Sequence, residues 1–180
     1  MKTFLSKNYS FIFFLLLVFA SCTKSKTNQK AEEKAKKSST YADEELLTLI
    51  QKQTFNYFWD GAEPNSGLAR ERLHMDDVYP TSPKNTVTTG GSGFGLLAIL
   101  VGIERKFITR EEALHRYKKI VDFLEKADRF HGAWPHWING ENGKVVPFST
   151  KDNGGDLVET AFLIQGLLTV KEYFKNGNED

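Results

Sequence analysis

The segment Ser149-Thr150-Lys151-Asp152-Asn153-Gly154-Gly155-Asp156-Leu157-Val158-Glu159-Thr160 gathers three carboxylates around one helix start. Asp156 and Glu159 are three residues apart and so neighbours on one helical face. Asp152 precedes them across a flexible Gly-Gly turn. Like charges this close repel, and the free N–H groups of a helix start offset part of the repulsion. Crowding raises the pKa of one member. A protonated carboxyl beside an ionised one is what hydrolysis of a glycosidic bond needs. Asp156-x-x-Glu159 also has the form of a capping box, and a residue can cap a helix and serve a site at once.

Phe130-His131-Gly132-Ala133-Trp134-Pro135-His136-Trp137 is the second constellation. Trp134 and Trp137 could stack on the apolar face of a pyranose while His136 takes a hydroxyl. The competing reading is a loop that folds its aromatics into the core. A metal site built on His131 and His136 is disfavoured, because no partner stands at ligand spacing. Thr88-Thr89-Gly90-Gly91-Ser92-Gly93-Phe94-Gly95 lacks the Lys-Ser/Thr ending of a P-loop, and no strand is expected before it. Its glycines suit a helix start that comes close to a ligand or a neighbouring helix. In Gly67-Leu68-Ala69-Arg70-Glu71-Arg72, Arg70 and Arg72 flank an acid. They read either as a surface ion pair or as donors to sugar hydroxyls and orienters of a catalytic carboxylate.

These segments need helices to position them. Asp43 to Asp60 is a predicted helix, with Asp43, Glu44 and Glu45 at its start and Leu46, Leu47, Ile50, Phe55, Phe58 and Trp59 at helical spacing. A long loop from Gly61 to about Gly91 follows; such a loop in a compact domain is usually functional. Ser92 to Lys106 is a second helix, apolar nearly all round. Thr109-Arg110-Glu111-Glu112 is a capping box that opens an amphipathic third helix to about Arg129. Asn139-Gly140 and Asn142-Gly143, between Trp137-Ile138 and Val145-Val146, predict a small hairpin. A fourth helix, again apolar on most sides, spans about Asp156 to Phe174. Helices two and four are expected to be buried, one and three half-exposed. The fold class is all-α: two helical hairpins with alternating inner and outer helices, the pattern of an α/α toroid. Two hairpins cannot bury two such helices by themselves, so residues 41–180 are expected to be part of a larger domain, with oligomerisation as the alternative.

Composition narrows the function classes. The 180 residues are 40% hydrophobic, 13% aromatic and 26% charged, which excludes disordered, collagen-like and coiled-coil chains. The single Cys excludes a disulfide framework within the chain and a cysteine-built zinc site. A net charge of +1 argues against a nucleic-acid partner. Residues 1–22 read as an export signal, with Lys2 and Lys7 before the apolar run Phe11 to Ala20. Phe19-Ala20-Ser21-Cys22 resembles the lipobox of bacterial lipoproteins, in which the cysteine is lipidated. Residues 23–40 hold no apolar side chain larger than alanine and read as a flexible tether. With +4 on the tether and +2 on the leader, residues 41–180 carry −5, which suits a neutral ligand such as a glucan. The expected location is membrane-anchored on the periplasmic side of a Gram-negative outer membrane.

The motif order F-x-Y-F-W-D, G-L-A-R-E-R, V-T-T-G-G-S-G-F-G, I-T-R-E-E-A, F-H-G-A-W-P-H-W and D-N-G-G-D-L-V-E-T-A-F resembles glycoside hydrolase family 144, the bacterial endo-β-1,2-glucanases, some of them labelled glucoamylases. The resemblance covers about residues 43–175. It implies an (α/α)6-barrel, of which this chain would be the N-terminal third and not competent alone. It further implies inverting hydrolysis of β-1,2-glucan to sophoro-oligosaccharides, with no metal and no cofactor. Asp152, Asp156 and Glu159 match the family's D-x-x-x-D-x-x-E motif and become the candidate catalytic acids. Arg70, Arg72, Trp134, His136 and Trp137 become candidate substrate contacts. An inverting pair stands about 6.5–9.5 Å apart. Asp156 and Glu159, with Cβ atoms about 5–6 Å apart, fit that poorly. Asp152 with Glu159, or one of these with an acid beyond Asp180, fits better. The alternative function is a glycan-binding lipoprotein without catalysis; a helical scaffold for protein partners is the third reading.

Overall fold

The computed structural model describes residues 41–79 and 83–175. The leader, Cys22 and the tether lie outside the described residues. The described residues from Leu47 on form one compact unit. Among the described residues no helix is long and apolar enough to cross a membrane. The elements in chain order are α1 (Asp43–Trp59), β1 (Thr86–Thr88), α2 (Thr89–Glu104), α3 (Arg110–Lys126), β2 (Trp137–Asn139), β3 (Val145–Val146) and α4 (Leu157–Phe174).

All four predicted helices form, and helix dominates the fold. The capping box of α3 is complete: Glu112 N–H donates to Thr109 Oγ1 at 3.2 Å, and Thr109 N–H donates to the Glu112 carboxylate at 2.7 Å. The predicted hairpin is present as β2–β3, with Trp137 opposite Val146 and Ile138 opposite Val145. The expectation that no strand precedes the glycine-rich segment is corrected. β1 pairs antiparallel with β2, Thr88 opposite Trp137, and runs directly into α2. A three-residue strand has no periodicity to read; only its partner some fifty residues away defines it. α2 consequently starts at Thr89, three residues earlier than its pattern predicted.

The core centres on α2. Leu96, Ile99 and Leu100 pack with Tyr117, Ile120 and Leu124 of α3, Leu163 and Phe174 of α4, and Val87 and Ile138 of the sheet. α2 and α4 touch through glycine. A Cβ on Gly93 would stand 2.2 Å from the Phe162 carbonyl oxygen, and one on Gly166 would stand 2.5 Å from the Gly93 carbonyl oxygen. Of the two roles open to the glycine-rich segment, close approach to a neighbouring helix is the one observed.

The fourth helix departs from expectation. Only Leu163, Gly166 and Phe174 of α4 are buried, while Leu157 is 78% and Val158 64% exposed. Phe162, Ile164 and Leu168 are exposed as well, so much of its apolar circumference is uncovered, as the two-hairpin argument anticipated.

Candidate active site

The site forms where the N-termini of α2 and α4 meet the stretch before β2. The backbone of Trp134 to Trp137 clamps both helix starts. Thr89 N–H, in the first turn of α2, donates to the His136 carbonyl at 3.1 Å. Asp156 N–H, at the start of α4, donates to the Trp134 carbonyl at 2.8 Å. Trp134 N–H donates to Thr160 Oγ1 at 3.0 Å. The first two bonds use N–H groups that a helix start leaves unpartnered, and together the three hold the two termini side by side.

Asp156 caps α4. Its Oδ1 accepts from Val158 N–H at 2.9 Å and from Glu159 N–H at 3.0 Å, and its Oδ2 lies 2.9 Å from His136 Nδ1. Burial works to raise its pKa, but the hydrogen bonds from Glu159 N–H, His136 and Val158 N–H outweigh it and hold the carboxyl below its ordinary value. Asp156 is therefore ionised at neutral pH.

The capping box read from Asp156-x-x-Glu159 is only half formed. Glu159 does not reach back to the Asp156 N–H. Its Oε2 instead accepts from Gly90 N–H at 2.8 Å, in the first turn of α2. One carboxylate thus sits against two helix N-termini, where negative charge is favoured. Glycine at 90 is required for this, because a Cβ there would stand 2.4 Å from Glu159 Oε2.

Asp152 is delivered by a tight turn. Its carbonyl accepts from Phe148 N–H at 3.0 Å, and its N–H donates to the Ser149 carbonyl at 3.1 Å. His136, Asp152 and Asp156 each bring a donor atom to within 4.8 Å of the others. One imidazole and two carboxylates are a set that a divalent cation accepts; here the His136 and Asp156 atoms bond each other. Two acids of the motif D-x-x-x-D-x-x-E, Asp152 and Asp156, are therefore brought together, nearer than the roughly 6.5–9.5 Å of an inverting pair, while the third, Glu159, turns to the start of α2.

An aromatic cluster borders the acids. The His136 ring lies 4.3 Å from that of Phe148, and Phe148 stands 4.9 Å from Trp137. Phe148 belongs to no motif, and its only cue in the sequence is its place between the hairpin and Asp152. Trp137, on β2 next to the fully buried Ile138, points to the other face of the strand. Trp134 is corrected from a substrate contact to a core residue. It is 8% exposed, and its indole N–H donates to the Leu124 carbonyl at 3.3 Å. Of the two readings of this loop, the core one holds for Trp134.

Arg70 and Arg72 do not join the acids through any contact among the described residues. The Arg70 guanidinium binds the Lys84 carbonyl, and Arg72 forms an ion pair with Glu71. The Arg70 backbone bridges to Val87, so this loop runs beside β1. A buried carboxylate outside the sequence motifs anchors it. Glu63, 1% exposed, accepts from Ser66 N–H and Ser66 Oγ, both at 2.7 Å, and from Asn65 Nδ2 at 2.9 Å.

No known protein-family profile matches the chain. It is 52% identical over 155 residues to the exo β-1,2-glucooligosaccharide sophorohydrolase (non-reducing end) of Parabacteroides distasonis; the match covers 84% of this chain and 20% of that protein. It superposes on the endo-β-1,2-glucanase of Chitinophaga pinensis, in a sophorotriose and glucose complex, with a TM-score of 0.76 and 64% identity over 78% of this chain and 34% of that one. The β-1,2-glucanase of Parabacteroides distasonis matches with a TM-score of 0.70 and 56% identity, over 77% of this chain and 19% of that one. The chain thus spans about a fifth of the curated relative and about a third or less of these two structures. Over the matched span it shares the helical fold of these proteins, and it is a homologue of the bacterial β-1,2-glucanases, the group to which its motif order points.

Proposed function

We propose that this chain carries part of the catalytic and glucan-binding groups of an inverting β-1,2-glucan hydrolase that releases sophoro-oligosaccharides. The observation that supports this reading is the convergence of Asp152 and Asp156 beside His136, Trp137 and Phe148 at the start of α4, with Glu159 one turn on against the start of α2. Asp156, ionised and engaged by three donors, is not the proton donor; it holds the site together. Of the motif's acids, Asp152 and Glu159 remain to act on the glycosidic bond or its water, either as a pair or one of them with an acid beyond Asp180. Trp137 and Phe148 supply the apolar wall for a glucose ring. The test is cleavage of linear β-1,2-glucan by the protein expressed from its complete reading frame. Asp152→Asn and Glu159→Gln should each lower the rate by about 10²–10⁴. Wild-type rates in both variants would overturn the assignment, and affinity without any change in glucan length would favour a binding protein.

We propose also that Cys22 is lipidated and holds the domain at a membrane surface through the tether, on the periplasmic side. Cys22→Ala should abolish incorporation of a labelled fatty acid and release the protein from the membrane fraction.

A further inference from the structure

The contact between Asp156 and His136 has a chemical consequence beyond holding the site together. Asp156 Oδ1 is occupied by two backbone N–H groups, and Oδ2 faces His136 Nδ1 at 2.9 Å. An ionised carboxylate only accepts hydrogen bonds, so the proton in this contact sits on Nδ1. In a neutral imidazole the other nitrogen, Nε2, is then an acceptor. Among the described residues Nε2 has no hydrogen-bond partner, and the side chain remains 24% exposed beside Phe148 and Trp137, with an Asp152 carboxylate oxygen within 4.8 Å of a ring nitrogen. Turning the ring over would put Cδ2 where Nδ1 stands and lose the bond to the carboxylate.

We infer that Asp156 is a positioning residue that fixes His136 as the Nδ1–H tautomer, so that Nε2 accepts a hydrogen bond from a hydroxyl of the bound glucose unit. This rests on the glucan-hydrolase reading for its ligand, but not for its tautomer. It assigns specificity to a group that must find a hydroxyl donor at that place. A glucose ring with that hydroxyl replaced by hydrogen or an ether leaves Nε2 unpaired.

The test uses Asp156→Asn in the intact protein. Asparagine caps a helix about as well as aspartate, so α4 keeps its start. With the oxygen of the introduced amide on the cap, its NH2 faces Nδ1, which must then accept; the proton moves to Nε2, and the acceptor is lost. Nitrogen-15 spectra of the labelled imidazole should show a protonated Nδ1 in the wild type and a protonated Nε2 in Asp156→Asn. Thermal unfolding of the two proteins should coincide within a few degrees. KM for sophoro-oligosaccharides should rise roughly tenfold, more than kcat falls. His136→Gln, which keeps an acceptor near the Nε2 position, should recover more of the wild-type KM than His136→Leu. A wild-type spectrum with the proton on Nε2, or an unchanged tautomer in Asp156→Asn, overturns the inference. Equal KM for His136→Gln and His136→Leu overturns the hydroxyl contact. Failure to cleave glucan at all would sink the functional reading and leave the tautomer result standing, so the two failures are separable.

Discussion

Glu159 of α4 lies across the start of α2, its carboxylate 2.8 Å from the Gly90 N–H. The chain thereby joins two helix N-termini through one side chain and leaves room for it only by omitting a side chain at position 90.

Gly90→Ala should therefore separate activity from stability. The added Cβ would fall 2.4 Å from Glu159 Oε2, the far end of a flexible side chain that can swing away at little cost. Thermal unfolding should shift by no more than a few degrees, while kcat for glucan falls about 10- to 100-fold as the carboxylate leaves its place. A variant with normal turnover would show that the Glu159 position is not needed.

Gly93→Ala should do the reverse. Its Cβ would fall 2.2 Å from the Phe162 carbonyl oxygen, which is backbone and cannot step aside unless the helices part. The expected loss is about 1–3 kcal/mol or more of folding stability, read by denaturant unfolding of the intact protein. An unchanged midpoint would mean that the helices are not held at this contact.

The two tryptophans should behave differently. Trp134→Ala removes a buried indole and should cost about 3–5 kcal/mol. Trp137→Ala should leave unfolding nearly unchanged and raise KM several-fold, since stacking contacts are worth about 0.5–1.5 kcal/mol. Titration with sophoro-oligosaccharides, paired with thermal melts, separates the two effects. Loss of stability in Trp137→Ala with unchanged KM would remove it from the site.

Glu63 should make stability depend on pH. Burial works to raise its pKa, but the hydrogen bonds from Ser66 and Asn65 outweigh that and hold the carboxyl below its ordinary value. A group whose folded pKa is depressed contributes stability above its unfolded pKa, about 4.3. That contribution is lost as pH falls through the folded value. Glu63→Gln should cost about 1–3 kcal/mol at neutral pH. The difference from wild type should shrink as the medium is acidified below about pH 4. A difference that stays constant across that range would show that Glu63 is not ionised in the fold.

Features that depend on neighbours a few residues away could be read from the chain alone. The four helices, the capping box of Thr109 and Glu112, and the cap at Asp156 follow from spacings of three and four residues. The β2–β3 hairpin follows from its turn residues. The motif D-x-x-x-D-x-x-E was visible as a constellation for the same reason. Features that depend on a distant partner were set by the three-dimensional packing. β1 exists because β2 pairs with it, and the Arg70 loop lies beside it through the bridge to Val87. Asp156-x-x-Glu159 looks identical in sequence whether Glu159 closes a capping box or reaches Gly90; the helix crossing at Gly93 and Gly166 chooses the latter. Trp134 and Trp137 are equivalent as letters. One is buried against α3 and the other turned beside Phe148, because the clamp to the two helix starts and the alternation of β2 set which way each side chain leaves the backbone.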